Sequence, residues 1–205
     1  RGCGLENCRP NCSNTIQRTG ETCGRYVELW NLVFMQFYHH LDGTRTPLPA
    51  PSVDTGMGLE RLAIVLQNVT NIYETDLFKA ILDKVGKISG KSYGENPELD
   101  YAMRVVAEHS RSATFLISDG VVPANEGRGY VLRRLIRRAI RHGRKIGLNE
   151  SFLGKTSIST IDQMGNIYPE LLNHKNFILT TLKLEEARFE QTFQRGMFVL
   201  EEALI

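Results

Sequence analysis

The pattern of hydrophobic and polar residues changes character partway along the chain. From Tyr26 to Tyr38, aromatic and branched residues occupy both alternating faces, which predicts a strand buried on both sides in the centre of a sheet. Asp42-Gly43 predicts a hairpin turn, and the proline-rich run over 47–51 predicts an extended connector outside a regular ladder. A short strand over 52–54 then leads into a helix predicted over 57–67.

From Asp76 onward the apolar residues recur only at helical spacing. The pattern predicts helices over 76–88, 99–118, 129–145, 161–172 and 176–205. The sequence therefore predicts an α+β fold, in which an antiparallel sheet portion in residues 1–75 is followed by an all-α helical domain in residues 76–205.

Composition places the chain among ordinary globular proteins. Hydrophobic residues make up 41% and charged residues 23% of its 205 residues. No apolar run reaches the length of a membrane span and no secretory signal is visible, so we expect a cytoplasmic protein without a membrane partner. The chain begins at Arg1 and ends within a helical pattern, so we expect it to be part of a longer protein.

A net charge of only +2 conceals a strongly basic segment over 128–145 that contains no acidic residue. Its cations are Arg128, Arg133, Arg134, Arg137, Arg138, Arg141, Arg144 and Lys145. An apolar stripe of the same helix can dock on the domain, so we expect Arg134, Arg137, Arg138, Arg141 and Arg144 to face solvent. Such a surface favours a nucleic-acid partner over a merely solvated helix face, where acidic residues are usually interspersed.

All four cysteines lie in the first 23 residues, within an irregular loop predicted over 1–24. They are Cys3, Cys8, Cys12 and Cys23. A reducing compartment disfavours disulfides, and the spacing is not a standard zinc pattern. Four thiols in one loop could nevertheless surround a structural Zn²⁺, and the alternative is a set of free thiols.

A second group of candidate residues surrounds the end of the short strand. Asp54 would attract a cation such as an ammonium group, while Gly56 and Gly58 would let a ligand approach the backbone. The helix start favours an anion, to which Arg61 could present its donors. The alternatives are a helix cap for Asp54 and a surface ion pair for Arg61. Asn31, an amide on an apolar strand face, is either a ligand contact or a structural amide.

These residues carry a family resemblance. Residues 56–61, Gly-Met-Gly-Leu-Glu-Arg, resemble the third signature motif of the class II aminoacyl-tRNA synthetases. The longer segments 28–37, 47–61, 119–121 and 125–134 are similar to those of the alanyl-tRNA synthetases, and the similarity runs from about Gly24 to the end. The resemblance implies a class II synthetase-type sheet with the third motif over 53–66, followed by a helical domain that recognises the tRNA acceptor stem.

The resemblance also implies an activity and its small ligands. Alanine would react with ATP, accompanied by Mg²⁺, to give alanyl-adenylate, and the alanyl group would pass to the 3′ end of tRNA(Ala). Asp54 would hold the alanine ammonium group, with Asn31 as a second contact and Gly56 bordering the methyl group. Gly58 and Arg61 would lie at the ATP. No covalent nucleophile is needed, so no catalytic side chain is assigned.

For the RNA, the resemblance implies that Asn125 reads the G·U wobble pair of the acceptor stem. The alternative is that Asn125 is only a cap or turn residue of its loop. The basic residues expected at the tRNA are Arg128, Arg133, Arg134, Arg137, Arg138 and Arg141.

The first two class II motifs would lie upstream of Arg1 and the editing domain downstream, so the isolated chain is expected to be inactive and to need the rest of the synthetase chain. The alternative is a non-catalytic helical RNA-binding module with a vestigial synthetase-like front end.

Overall fold

The computed structural model describes residues 28–204. The chain divides into two compact units, Arg1–Thr75 and Asp76–Ile205. The structure confirms the α+β class, because the described residues begin with an antiparallel pair of strands and continue as helices. The cysteine-rich loop lies outside the described residues.

The first unit contains a β-hairpin. Strand β1 (Trp30–His39) pairs with strand β2 (Arg45–Met57), and Trp30 lies opposite Met57 at the open end. The predicted turn is confirmed: the Asp42 carboxylate accepts a hydrogen bond of 2.9 Å from the Thr44 amide. The predicted start at Tyr26 lies outside the described residues, within which β1 begins at Trp30.

The prediction of a connector over 47–51 is wrong, because β2 is continuous through this run. Ser52 lies opposite Met35 and Pro47 lies opposite Phe37, so residues 48–51 of β2 face the single residue Gln36. A bulge of this kind tolerates prolines, which lack the amide proton that a regular ladder requires. The prolines therefore change the pairing register without ending the strand.

The prediction of a strand buried on both sides is not met by the described hairpin. Both faces of β1 are exposed, with Val33 at 48% on one face and Phe34 at 71% on the other. A pair of strands has nothing of its own to cover the two faces of its sheet. The number of apolar residues on both faces of β1 therefore exceeds what an isolated hairpin needs. Helix α1 (Leu59–Gln67) follows β2 after one residue, and a short 3₁₀ turn occupies Ile72–Glu74.

The second unit is entirely helical over its described residues, as predicted. Its helices are α2 (Asp76–Ser89), α3 (Pro97–Ser118), α4 (Gly127–Lys145), α5 (Leu153–Met164), α6 (Pro169–Asn173) and α7 (Lys175–Ala203). The single helix predicted over 161–172 is wrong: α5 ends at Met164 and α6 begins at Pro169. Proline is favoured in the first turn of a helix but breaks a helix interior, which explains the separation.

Helix α3 lies at the centre of this unit and packs against α2, α4, α5 and α7. Completely buried apolar side chains from every one of these helices form the core: Ile81, Met103, Ile117, Leu132, Ile136, Ile161, Ile178 and Leu182. Buried hydroxyl groups also join α3 to α5, because Thr114 Oγ1 donates to Ser157 Oγ at 2.8 Å and Thr156 Oγ1 donates to Ser110 Oγ at 2.9 Å.

Helix α7 fixes the start of α5 through a buried carboxylate. Glu186 accepts hydrogen bonds from the amides of Phe152 at 3.0 Å and Leu153 at 3.1 Å. Amides at a helix start have no partner within the helix, and a carboxylate there is also favoured by the helix dipole. Among the described helices, none is long and apolar enough to cross a membrane.

Candidate functional site

The hairpin brings three of the predicted ligand contacts together on one face. Asn31 lies directly opposite Gly56, and Val33 lies opposite Asp54. Residues opposite each other in an antiparallel pair point to the same face, and so do residues two positions apart. Asn31, Asp54 and Gly56 therefore share a face, with diagonal neighbours about 7–8 Å apart.

The other face of the hairpin holds this arrangement in register. The Trp30 Nε1 donates a hydrogen bond to the Thr55 Oγ1 across the two strands. The bond joins the residues immediately beside Asn31 and Gly56 in sequence. Cross-strand side-chain pairs of this kind are the units that stabilise a sheet, so the contact keeps the candidate face aligned.

The candidate face is open. The Asp54 side chain is exposed, and among the described residues it takes part in no hydrogen bond or ion pair. No atom of the described residues comes within 4 Å of a Cβ built on Gly56. Glycine weakens a strand by about 0.5–1 kcal/mol relative to alanine. Because the described hairpin leaves space for a side chain at position 56, its packing does not explain why this residue is a glycine.

Gly58 and Arg61 join the end of the hairpin to the start of α1. The Gly58 amide donates to the Leu29 carbonyl at 3.1 Å, and an Arg61 Nη atom donates to the Glu28 carbonyl at 2.9 Å. A Cβ on Gly58 would touch the Arg61 Cγ and Cδ at 3.4 Å, so the arginine stem lies across this glycine. Gly58 is the N-cap of α1, which excludes the alternative that Asp54 caps the helix.

The Arg61 guanidinium is engaged by a backbone carbonyl, and a surface ion pair stays the alternative for its other donors. A guanidinium has five N–H donors, and the Glu28 carbonyl accepts from one of them. The fork can therefore present further donors to an anion near the start of α1. The N-cap of α1 is Gly58, which has no side chain that could cap the first-turn amides of the helix.

The predicted metal ligands cannot be placed. Cys3, Cys8, Cys12 and Cys23 lie outside the described residues. Within residues 28–204, no cluster of three or more histidine, cysteine, aspartate or glutamate side chains is arranged to hold a metal ion. A zinc site in the cysteine-rich loop therefore stays a prediction.

In the second unit, the arginines of α4 form two sets. Arg128, Arg134, Arg138 and Arg141 are exposed, whereas Arg133, Arg137 and Arg144 are partly buried. The two sets alternate along the helix because α4 packs against α3 and α7 with different sides. The exposed and the partly buried arginines are therefore two separate sets, although they form one basic run in the sequence.

The partly buried arginines hold α4 against α7 through ion pairs, and these contacts are called the clamp below. Arg133 Nε lies 3.3 Å and Arg137 Nε lies 2.9 Å from the Glu185 Oε1, and Arg144 pairs with Glu190. The prediction that Arg137 and Arg144 face solvent is wrong: their side chains are 33% and 20% exposed and both are ion-paired. Glu185 is 1% exposed, and a carboxylate so buried is tolerated only when it is paired.

Aromatic rings of α7 complete the clamp. The guanidinium carbon of Arg137 lies 5.3 Å from the centre of the Phe189 ring, and that of Arg144 lies 4.0 Å from the centre of the Phe193 ring. Arginine stacks favourably on aromatic faces in this geometry. Sequence reasoning missed Glu185 and Glu190 because nothing local to α4 indicates partners almost fifty residues away.

Three of the exposed arginines, Arg134, Arg138 and Arg141, border a groove between α4 and α7 with a volume of about 410 Å³. Its lining residues are Val131, Arg134, Leu135, Arg137, Arg138, Arg141 and Phe189. Arg138 is also oriented by the Tyr101 hydroxyl, to which it donates at 3.1 Å. Several guanidiniums around an apolar floor suit a sugar–phosphate backbone, whose charge they can neutralise.

The same cations act on His142, near the end of α4. Burial lowers the pKa of His142, and the positive charges of Lys145, Arg138 and Arg141 lower it further. The neutral ring packs edge-on against Tyr101, with the ring centres 5.4 Å apart. Burial is the larger cause of the lowered pKa, and the smaller contribution of these charges reflects a positive potential on this side of α4.

Asn125 lies in the loop that precedes α4, and α4 itself holds that loop. Its side-chain oxygen accepts a hydrogen bond from Arg133, which also donates to the Pro123 carbonyl at 3.2 Å. A Cβ on Gly129 would lie 2.6 Å from the Ala124 Cβ, so the loop rests directly on the first turn of the helix. Asn125 is exposed, yet its position is set by contacts on either side of it.

Comparison with known proteins gives the family. The model of the tRNA synthetases class II (A) matches residues 8–205. Proteins named alanine–tRNA ligase are also similar: 48% identity over 99% of this chain in Desulfosudis oleivorans, 55% over 88% in Acidithiobacillus ferridurans and 50% over 96% in Oleidesulfovibrio alaskensis. These names confirm the resemblance inferred from residues 28–61 and 119–134.

The chain spans about a fifth of the length of these relatives, since it covers 22%, 20% and 22% of them. The family match extends through both compact units, from within the cysteine-rich loop to the end of the chain. The chain belongs to the family of class II tRNA synthetases (A).

Proposed function

We propose that this chain is part of an alanine–tRNA ligase, in which the hairpin and α1 bind alanine and ATP while α4 binds the acceptor stem of tRNA(Ala). The alanine carboxylate attacks the α-phosphorus of ATP and releases pyrophosphate. A ribose hydroxyl of the terminal adenosine then attacks the alanyl carbonyl and releases AMP. The single observation that carries the proposal is the shared face of Asn31, Asp54 and Gly56 beside the start of α1.

That face suits a small amino acid. The exposed Asp54 carboxylate supplies the charge that an ammonium group needs, and Asn31 adds hydrogen-bonding groups from the neighbouring strand. The open space over Gly56 accommodates a methyl group close to the backbone. A larger residue at position 56 would place its side chain where we propose that the substrate lies.

The start of α1 suits the nucleotide. Gly58 allows the Arg61 stem to cross the helix start, and the guanidinium remains directed toward the beginning of β1. A guanidinium beside the amides of a helix start favours phosphate groups. We propose that Gly58 and Arg61 contact ATP, which would enter with Mg²⁺ as its usual counterion.

The exposed side of α4 suits the tRNA. We propose that Arg128, Arg134, Arg138 and Arg141 contact phosphates and that Asn125 reads the G·U wobble pair from the groove of the acceptor stem. Arg137 also lines the groove, whereas Arg133 acts through the clamp with Glu185. Because phosphate contacts position RNA without reading it, selectivity rests with the amide of Asn125.

The chemistry needs positioning and charge stabilisation from the protein. The remaining proposals follow from the sequence: partners in the rest of the synthetase chain, a role in protein biosynthesis in the cytoplasm, and a structural Zn²⁺ in the loop of Cys3, Cys8, Cys12 and Cys23.

The test is Asp54→Asn in the ligase that we propose contains this chain. Asparagine keeps the size of the side chain and removes its charge, so kcat/KM for alanine in ATP–pyrophosphate exchange should fall about 10- to 100-fold. Affinity for tRNA should not change, because Asp54 lies on the hairpin rather than on α4. Asp83→Asn, which removes an exposed carboxylate paired with Lys79 at 3.6 Å, is the matched control and should leave exchange intact.

An exchange rate that is the same in the Asp54→Asn protein and the unmodified protein would overturn the assignment of Asp54. Tight tRNA binding without any alanine-dependent exchange would instead support the non-catalytic RNA-binding module.

A further inference from the structure

We propose that Arg133 is a positioning residue that fixes the orientation of the Asn125 amide, so that Asn125 reads RNA as a hydrogen-bond donor. This inference rests on the proposed function, in which Asn125 faces the acceptor stem. It assigns to Arg133 a role in selectivity that is separate from contacting phosphates.

Arg133 is anchored on three sides. Its Nε lies 3.3 Å from the Glu185 Oε1, one Nη donates to the Pro123 carbonyl at 3.2 Å, and the other Nη donates to the Asn125 Oδ1. Its side chain is only 17% exposed. Two hydrogen bonds and an ion-pair contact with Glu185 hold this planar guanidinium, although its Nε makes no hydrogen bond among the described residues, so its direction toward Asn125 is set by the fold.

The anchor itself is rigid because it is buried. Glu185 is 1% exposed on α7 and also accepts from Arg137 at 2.9 Å. Burial makes separation of these charges costly, so the carboxylate holds both guanidiniums in place. Helix α7 therefore controls a side chain in the loop before α4, although Asn125 and Glu185 are far apart in sequence.

The chemistry of the two groups decides which end of the amide faces outward. A guanidinium carries only donors, so the Asn125 oxygen must be the atom that turns toward Arg133. The amide nitrogen, with its two N–H groups, then points away from Arg133. The atom that Asn125 recognises is accordingly an acceptor, such as the N3 of a purine, the O2 of a pyrimidine or a 2′-hydroxyl oxygen.

The decisive experiment compares Arg133→Lys with Arg144→Lys in the complete ligase. Lysine keeps the charge but cannot hold the carboxylate, the carbonyl and the amide at once. Arg144 has the same setting, a partly buried arginine of α4 paired with a glutamate of α7, but it does not contact Asn125. The readout is the ratio of kcat/KM for acceptor-stem RNA duplexes that carry either G·U or G·C at the recognised pair.

We expect Arg133→Lys to lower this ratio about tenfold, which is the loss of one base-edge hydrogen bond. Arg144→Lys should lower the free energy of unfolding to a similar extent and leave the ratio unchanged. An unchanged ratio in Arg133→Lys, or an equal loss in both variants, would overturn the inference, because the effect would then be absent or merely structural.

Two further variants separate this inference from the proposed function. If Arg133 acts through Asn125, the double variant Arg133→Lys/Asn125→Ala should have the same ratio as Asn125→Ala alone. Losses that add would show that Arg133 reads the RNA itself and would overturn the positioning role. If Asn125→Ala lowers the ratio and Arg133→Lys does not, the positioning role fails while the reading role of Asn125 stands. If Asn125→Ala has no effect, the reading role fails and the inference fails with it.

Discussion

Gly129 and Ala124 are in such close contact that a Cβ added to Gly129 would lie 2.6 Å from the Ala124 Cβ and 2.9 Å from its amide nitrogen. Real carbon atoms do not approach so closely, so the loop before α4 can occupy its position only while residue 129 has no side chain. This loop carries Asn125. One glycine of the helix thus determines where the proposed RNA-reading amide lies.

We predict that Gly129→Ala displaces this loop and weakens selective RNA recognition. The added methyl group must push the Ala124 backbone away, and overpacking of this kind costs about 1–3 kcal/mol. Thermal denaturation should show the lower stability, and the kcat/KM ratio between acceptor stems with G·U and G·C should fall. Unchanged selectivity would contradict a role of loop position in reading.

The control for this prediction is Gly196→Ala in α7. Apart from its chain neighbours and the backbone of its own helix, a Cβ at position 196 meets no atom of the described residues within 4 Å. Alanine is favoured over glycine within a helix by about 1 kcal/mol, so this variant should be slightly more stable and equally selective. The two variants make the same chemical change with opposite expected effects on stability.

The two sets of arginines on α4 predict different effects of salt on tRNA binding. Arg141 is exposed and borders the groove, whereas Arg144 is paired with Glu190. Each phosphate contact adds a slope of about −0.7 to −0.9 to the plot of log affinity against log salt concentration. Arg141→Gln should therefore reduce the slope by roughly one contact, and Arg144→Gln should leave it unchanged.

Fluorescence anisotropy of labelled tRNA across a salt series provides this measurement. Equal slopes for the Arg141→Gln protein and the unmodified protein would show that the exposed face of α4 is not the RNA surface. A reduced slope in Arg144→Gln would show that the clamp opens to reach the RNA.

The comparison between sequence and structure shows which features local patterns encode. Helical periodicity predicted the α3 and α4 bounds to within two residues at each end, because the apolar stripe of a helix is recorded in its own residues. The pattern also identified Asn31, Asp54 and Gly56, but only the register of the hairpin shows that they share a face. The register depends on the bulge at the proline run. The spacing of residues in the sequence does not predict that bulge.

The division of the arginines could not be predicted for a related reason. Arg137 and Arg138 are adjacent and chemically identical, yet the first pairs with Glu185 and the second donates to Tyr101. Their difference is a property of the surfaces of α7 and α3 that pack against α4. Charge along a sequence therefore indicates a nucleic-acid surface without indicating which cations belong to it.

His142 gives a prediction for the effect of pH on stability. Burial and the charges of Lys145, Arg138, Arg141 and His109 lower its pKa in the folded protein below the usual value of 6.5. As the pH falls below 6.5, the unfolded chain therefore takes up a proton at this position before the folded chain does. Stability must decrease with falling pH in this window, and the decrease from His142 ends once the pH lies below the folded-state pKa.

His142→Phe should remove this contribution, because phenylalanine keeps the edge-on packing against Tyr101 but cannot bind a proton. Urea unfolding at steps between pH 7.5 and pH 5 would show a shallower loss of stability in the variant than in the unmodified protein. The range stays above the ordinary pKa of 4.5 of the glutamates, three of which, Glu74, Glu108 and Glu190, have a lowered pKa and add their own loss only at more acidic pH. Parallel stability curves for the two proteins would mean that neither burial nor the neighbouring cations lower the pKa of His142 in the folded state.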